Sequence, residues 1–336
     1  MTTAALQISR RHFLAGALAA GTGLLIARRL LADQPATDAN RFALLSDIYS
    51  SADRDRVARG IKPAEHFLRV RDEILSLRPR PAAVIVSGDC AFNEGLPGDY
   101  AVLRELVEPL RQAGLLPHLL MGNHDRRESL WQAFPQCKPC GQGLPPDKHV
   151  ALLESPHANW FLLDSMDRPG MIAGRLGEAQ LLWLTKSLDA HPDKPALVVA
   201  HHYPEPRGKL SKINGLVDTD ALFKVLLPRR QVKAYFFGHS HRWETSVLED
   251  LHLVNLPTTA YVFDKAQPSG WVDARVRCDG ITLRLSALDR QHPAHGKSVD
   301  LTWRKQTRRL ARVLCRPAGA FWRWQRPLGH PATEHL

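Results

Sequence analysis

The sequence predicts an α/β domain, and three features carry that prediction. Short apolar runs alternate with helix-period segments from residue 41 onward, the order in which strands and crossover helices build a sheet. The 336 residues are 44% hydrophobic and 24% charged, enough for a full core and unlike a disordered or collagenous chain. The formal charge of +11 sits at the ends, since 33 bases face 31 acids once residues 1–40 and 301–336 are set aside. A near-neutral body argues against a nucleic-acid-binding core, and no nucleic-acid partner is expected.

The runs at 42–45, 83–86, 119–121, 196–199 and 234–237 are expected strands buried on both faces. Pro63 opens a helix on which Phe67, Val70, Ile74 and Leu77 recur at helical spacing, and Pro79 closes it. Further helices are expected over 99–113, stopped by Gly114, over 177–188, with Leu181, Trp183, Leu184 and Leu188, and over 218–227. After Gly238 the runs at 245–248, 251–254, 271–276 and 281–285 predict antiparallel strands that finish a second sheet. Residues 135–147, rich in Pro and Gly, predict a loop insertion.

The chemistry lies at the end of each apolar run. Ser46-Asp47-Ile48-Tyr49 follows the first, Ser87-Gly88-Asp89-Cys90 the second and Gly122-Asn123-His124-Asp125 the third. His201-His202-Tyr203-Pro204 follows the fourth, and Gly238-His239-Ser240-His241 the fifth. Carboxyl ends of strands border the ligand crevice of an open α/β sheet, so these side chains converge although far apart in sequence. Asp, Asn and His together are donors for a borderline divalent or trivalent metal. Each motif alone has a plainer role, as a turn, a helix cap or a buried histidine. Gly-His-Ser-His is more specific, because alternate residues of an extended strand face one side and aim both imidazoles at one point.

In this order the five blocks resemble the calcineurin-like metallophosphoesterase superfamily, which carries D-x-H, G-D, G-N-H-D/E, a histidine before a proline-containing turn, and G-H-x-H. The likeness covers residues 41–290, taken as the domain, and is nearer to the branch of cyclic-nucleotide phosphodiesterases and purple acid phosphatases than to the serine/threonine protein phosphatases. It implies a four-layer α/β/β/α sandwich of two mixed sheets holding two divalent or mixed-valence metal ions, Fe, Mn or Zn. Carried onto this chain, it places Asp47, Asp89 and His241 on one metal; Asp89 bridges to a second, completed by Asn123, His201 and His239. His201 is preferred to His202 as the first histidine of its pair.

The implied substrate is a phosphomonoester or phosphodiester, attacked at phosphorus by a metal-bridging hydroxide. His124 then assists the leaving group, with Asp125 as the other catalytic candidate. The physical need agrees: a phosphoester anion repels hydroxide, so the site must supply positive charge and a nucleophile at neutral pH. Arg126 and Arg127 are expected as solvated surface arginines, with phosphate contact as the alternative. One departure stands out, since Tyr49 replaces the histidine of D-x-H, and Phe92 fills the position three after Asp89 from which purple acid phosphatases supply a tyrosinate. Tyr49 either ligates iron, stands aside for a water, or marks an impaired first site. The last option leaves a competing function: a non-catalytic envelope protein that holds a phosphorylated ligand.

The ends of the chain speak of location. Ser9-Arg10-Arg11-His12-Phe13-Leu14 before the apolar run at 15–27 has the form of a twin-arginine export signal over residues 1–32, and implies a periplasmic or envelope-associated protein. The run is shorter than the roughly 20 residues that span a bilayer, so a permanent anchor is not expected. The tail at 301–336 interleaves Arg304, Lys305, Arg308, Arg309 and further arginines with Trp303, Phe321, Trp322 and Trp324. It contacts an anionic membrane surface or is a solvated tail that packs a few of its aromatics on the body. Of the five cysteines, Cys137 and Cys140 are expected to form a local disulfide, with unpaired thiols as the alternative, and Cys90 to be small buried packing. The oligomeric state is not legible.

Overall fold

The computed structural model describes residues 36–205 and 214–305. Its strands are β1 (Thr37–Leu45), β2 (Arg80–Val86), β3 (Pro117–Leu119), β4 (Ala151–Glu154), β5 (Asn159–Leu162), β6 (Ala196–Val199), β7 (Val232–Phe237), β8 (Glu244–Leu248), β9 (Leu251–Asn255), β10 (Gly270–Val276), β11 (Gly280–Ala287) and β12 (Ser298–Thr302). Its helices are α1 (Pro63–Ser76), α2 (Pro97–Gln112), α3 (Arg127–Ala133), α4 (Glu178–Asp189) and α5 (Thr219–Leu226). They build two six-stranded sheets, ordered β12-β11-β10-β1-β2-β3 and β4-β5-β6-β7-β9-β8. Both are mixed: β2 and β3 run parallel beside an antiparallel β10–β11–β12 set, and β5, β6, β7 and β9 run parallel between antiparallel β4 and β8.

The two-residue period of the strands explains the layers. On β1, Phe42 and Leu44 face the second sheet and pack with Ile85, Trp160, Leu197, Phe236 and Val272. Ala43 and Leu45 face the other way, onto Phe67, Val70 and Ile74 of α1 and Leu103, Leu106 and Leu110 of α2. On the far side of the second sheet Phe161, Val198 and Tyr235 meet Leu184 and Leu188 of α4 and Leu222 and Leu226 of α5. Helix, sheet, sheet and helix are thus the four expected layers. Pro63 and Pro97 open their helices at a position whose N–H has no helical partner to lose.

Several sequence expectations are corrected. The third strand is Pro117–Leu119 and closes two residues before the run at 119–121 ends, although Leu120 N still donates to Val86 O of β2 at 2.9 Å. The strands after Gly238 do not all finish the second sheet. Only β8 and β9 do so, with β9 parallel to β7, while β10, β11 and β12 return to the first sheet beside β1. The body also runs past residue 290: β12 pairs with β11, and Leu301 and Arg304, assigned to the tail, are buried, as is Trp303, in line with the reading in which tail aromatics pack on the body. Cys137 and Cys140 are free thiols, so the local disulfide is not formed, and Cys90 is buried packing as expected. The segment at 1–32 and the tail from 306 lie outside the described residues. Among the described residues no helix is long and apolar enough to cross a membrane.

Candidate metal centre

The loops after β1, β2 and β3 bring oxygen donors from the first sheet, and those after β6 and β7 bring imidazoles from the second. Backbone pairing fixes the first half: Asp47 N donates to Gly88 O and Tyr49 N to Asp89 O, each at 3.0 Å, so the two carboxylate loops run side by side. Asp47, Tyr49, Asp89, His239 and His241 all have positive φ, between 49° and 67°, a strained conformation for non-glycine residues that gathers at functional sites. Two motif glycines are there for clearance. A Cβ on Gly122 would fall on Asp89 Oδ1, and one on Gly238 would collide with Ser46 Oγ, which donates to Asp47 Oδ2.

The donor atoms meet. His201 Nε2 lies 3.3 Å from Asp89 Oδ1, and His241 Nε2 lies 3.3 Å from Asp47 Oδ1. His239 Nδ1 lies 3.2 Å from His201 Nε2. Ligand atoms of Asp47, Asp89 and His201 fall within 4.8 Å of one another. Asn123 Oδ1 is buried with no hydrogen-bond partner, a lone acceptor in a cluster of donors for a cation. Outer contacts orient the rings: His241 Nδ1 is 2.6 Å from Tyr261 O, and His239 Nε2 is 2.9 Å from Asn214 O. His202 lies against the same rings but spends Nδ1 on Ser165 Oγ and Nε2 on Ile172 O, which supports His201 as the ligand of the pair.

Tyr49 occupies the first half-site. Its phenol oxygen lies 2.9 Å from both Asp89 Oδ2 and His241 Nε2, and 3.5 Å from Asp47 Oδ1. Burial and the charges of Asp89 and Asp47 push its ionisation well above the ordinary range. Burial opposes charge on Asp89, but facing His201 holds it well below the ordinary carboxylate range. The same pair raises His201 to about 9 against its own burial. Burial and His201 lower His239 to about 4, leaving it a neutral donor. Without metal His201 is thus protonated opposite an ionised Asp89, and a cation bound there would take the place of that proton, whereas His239 already presents a neutral ring.

His124 is placed at the mouth. Its Nε2 lies 4.0 Å from Asp89 Oδ2, its Nδ1 is 2.7 Å from Asn93 O, and its side chain is 31% exposed, open to a substrate. Asp125 is not. It is fully buried beneath the site, where Oδ1 accepts from Ala91 N and the Tyr100 hydroxyl, and Oδ2 from Cys90 N and Gly122 N. That ties the Asp89 loop to the Asn123 loop, so the expected catalytic candidate is a positioning residue. Arg127 is no solvated arginine either, since it grips Asp164 with two hydrogen bonds of 2.6 and 2.9 Å. A cavity of about 790 Å³ opens over the centre between Tyr49, Asp89, His124, Tyr203, His239 and Phe263.

Sequence reasoning did not find Tyr261 and Phe263. Tyr261 stacks on Tyr49 at 5.0 Å, and Phe263 stacks on His241 at 4.2 Å. No local signal marks them, because they follow no motif glycine, and Tyr261 acts on a residue more than half a domain away in sequence.

Residues 40–243 match the family model described as calcineurin-like phosphoesterase. A 3',5'-cyclic adenosine monophosphate phosphodiesterase of Pseudomonas aeruginosa is 30% identical over 234 residues, 68% of this chain and 80% of that protein. A 3',5'-cyclic-nucleotide phosphodiesterase of Nostoc is 28% identical over 229 residues, 66% of this chain and 79% of that protein. Among solved structures, a dimetal phosphatase from Danio rerio shares the fold with a TM-score of 0.60 at 16% identity, over 79% of this chain and 99% of the other.

Proposed function

The chain belongs to the calcineurin-like phosphoesterase family and is a metal-dependent phosphoesterase, and from that premise we propose that it hydrolyses phosphodiesters at a dinuclear centre, with Asp47, Tyr49, Asp89 and His241 around one cation and Asp89, Asn123, His201 and His239 around the other. The observation that carries this reading is the meeting of Asp47, Asp89 and His201 within 4.8 Å beside the unpartnered oxygen of Asn123. Two cations held there would supply positive charge to the phosphoryl oxygens and a nucleophile at neutral pH.

The protein's own side chains do the rest. His124, held by Asn93 O and open to the cavity, gives a proton to the departing oxygen. Ser46, Tyr261 and Asn214 hold Asp47, His241 and His239 in register. The cavity, far larger than a phosphate needs, suits an ester with an organic group on each side. The same proposal extends to export through the segment at Ser9-Arg10-Arg11 into the periplasm or envelope, and to a membrane-surface contact of the basic tail.

One observation favours a second reading. The Tyr49 hydroxyl is already hydrogen-bonded to Asp89 and His241, which fits an impaired first site in a protein that holds a phosphorylated ligand. Hydrolysis of p-nitrophenyl phosphate and bis(p-nitrophenyl) phosphate, with and without manganese or iron, decides between them. Metal-dependent turnover of the diester supports hydrolysis; no turnover of either with tight phosphate binding selects the second reading.

A further inference from the structure

Arg59 stands at the tip of the turn Ala58-Arg59-Gly60-Ile61, whose ends exchange both backbone hydrogen bonds, at 2.8 and 3.1 Å. Both tip residues have positive φ, 49° and 84°, the pattern of a type I′ turn. Glycine or asparagine sits there at little cost, whereas arginine is strained, and such strain persists where a side chain is needed at that spot. The guanidinium of Arg59 lies over the rings of Phe263, at 4.8 Å, and Tyr261, at 5.6 Å. These are the rings that stack on His241 and Tyr49.

Among the described residues, no hydrogen bond or ion pair takes up the N–H groups of Arg59. Its neighbours are engaged: Arg54 faces Glu105, Arg56 Nε donates to Ser51 Oγ, and Asp55 pairs with Lys62. Arg59 is exposed at the surface, and a guanidinium resting on aromatic rings still offers the fork of donors that matches two phosphate oxygens. We propose that Arg59 anchors a second anion subsite, one aromatic ring beyond the metal centre, for a phosphoryl group that the substrate carries in addition to its scissile ester. Arg56 lies over Phe92 at 4.8 Å, and Phe92 meets Tyr49 edge-on, so a second guanidinium stands one ring away from Tyr49. The subsite rests on the hydrolytic reading above and narrows its substrate class to phosphodiesters bearing a further phosphate.

The test compares kcat/KM of the metal-replete protein on matched pairs that differ only in the extra phosphate. One pair is a dinucleoside monophosphate with and without a 5'-terminal phosphate; the other is glycerophosphoinositol and glycerophosphoinositol 4-phosphate, so that nucleotide and polyol sources are told apart. The expected result is a preference of about tenfold for the doubly phosphorylated member of one pair, carried by KM and weakened by salt. In Arg59→Ala the ratio falls below about two, and Arg59→Lys restores part of it. An arginine that merely braces Tyr261 and Phe263 would depress both members alike and leave the ratio intact, which overturns the proposal, as does a wild-type ratio near one in both pairs. Turnover of bis(p-nitrophenyl) phosphate reports the hydrolytic reading separately. Were that absent, calorimetric binding of adenosine 5'-monophosphate against adenosine 3',5'-bisphosphate to the metal-loaded protein reads the subsite directly, and equal affinities overturn it.

Discussion

Asp125→Asn separates positioning from catalysis at the motif where the two are most easily confused. The buried carboxylate takes four donors: Ala91 N at 3.0 Å and the Tyr100 hydroxyl at 2.8 Å on one oxygen, Cys90 N at 3.2 Å and Gly122 N at 2.8 Å on the other. Asparagine keeps the volume but offers one acceptor; with its amide nitrogen in place of Oδ1 it meets Ala91 N head-on, while the Tyr100 hydroxyl can turn to accept. One buried donor left unpaired puts the loss at ~1–3 kcal/mol. Urea unfolding of the chelated protein measures this directly, and bound metal per chain should fall with it, because the Asp89 and Asn123 loops lose their tie. A pH series adds an independent check. Burial and the charge of Asp89 raise Asp125 to about 6, above the value near 3.8 of the unfolded chain. Wild type therefore loses stability as pH rises from about 4 to 6, a loss the uncharged variant cannot share, so the gap between them narrows over that window. A variant with unchanged urea midpoint and metal content but turnover reduced more than a hundredfold would refute the positioning role and return Asp125 to the reaction.

Gly122→Ala places a methyl group on Asp89 Oδ1, and loss of metal together with at least a hundredfold drop in diester turnover is expected from metal analysis and kinetics. Tyr49→Phe removes the oxygen 2.9 Å from Asp89 and His241; if iron-loaded wild type shows a visible tyrosinate absorption, the variant must lose it, and a colourless wild type rules out iron ligation by Tyr49. Lys233, whose ammonium donates to Arg230 O and Arg304 O, is lowered to about 8 by burial and the charges of Arg304 and Arg230. Above pH 8 the folded chain sheds that proton while the unfolded chain keeps it to about 10.5, so stability from this group rises between those values, and Lys233→Met should flatten the rise in urea midpoint.

The five strand ends were legible because each follows a short apolar run whose residues face two cores at once, as Ala43 and Phe42 do. The return of β10 to lie beside β1 was not, since pairing across more than two hundred residues leaves no local mark on either strand. β4 and β5, four residues each, escaped notice although β6 is no longer, because no chemistry-bearing motif follows either of them as His201-His202 follows β6. Motif membership brought Asp125 to attention but could not say that its carboxylate points downward into the loops. Arg59, Tyr261 and Phe263 illustrate the opposite gap: ring stacking between distant loops has no spacing rule from which to infer it.

The division of donors between the sheets has a mechanical consequence. Aspartates, asparagine and the tyrosine hang from one half of the sandwich and the candidate histidine ligands from the other, so cations bound by the proposed set would act as rivets through the seam. Stripping them should loosen the fit of one slab against the other as well as silence the chemistry, and the reversible opening of that seam would be visible as amide exchange along β1, β2, β6 and β7 in the demetallated protein.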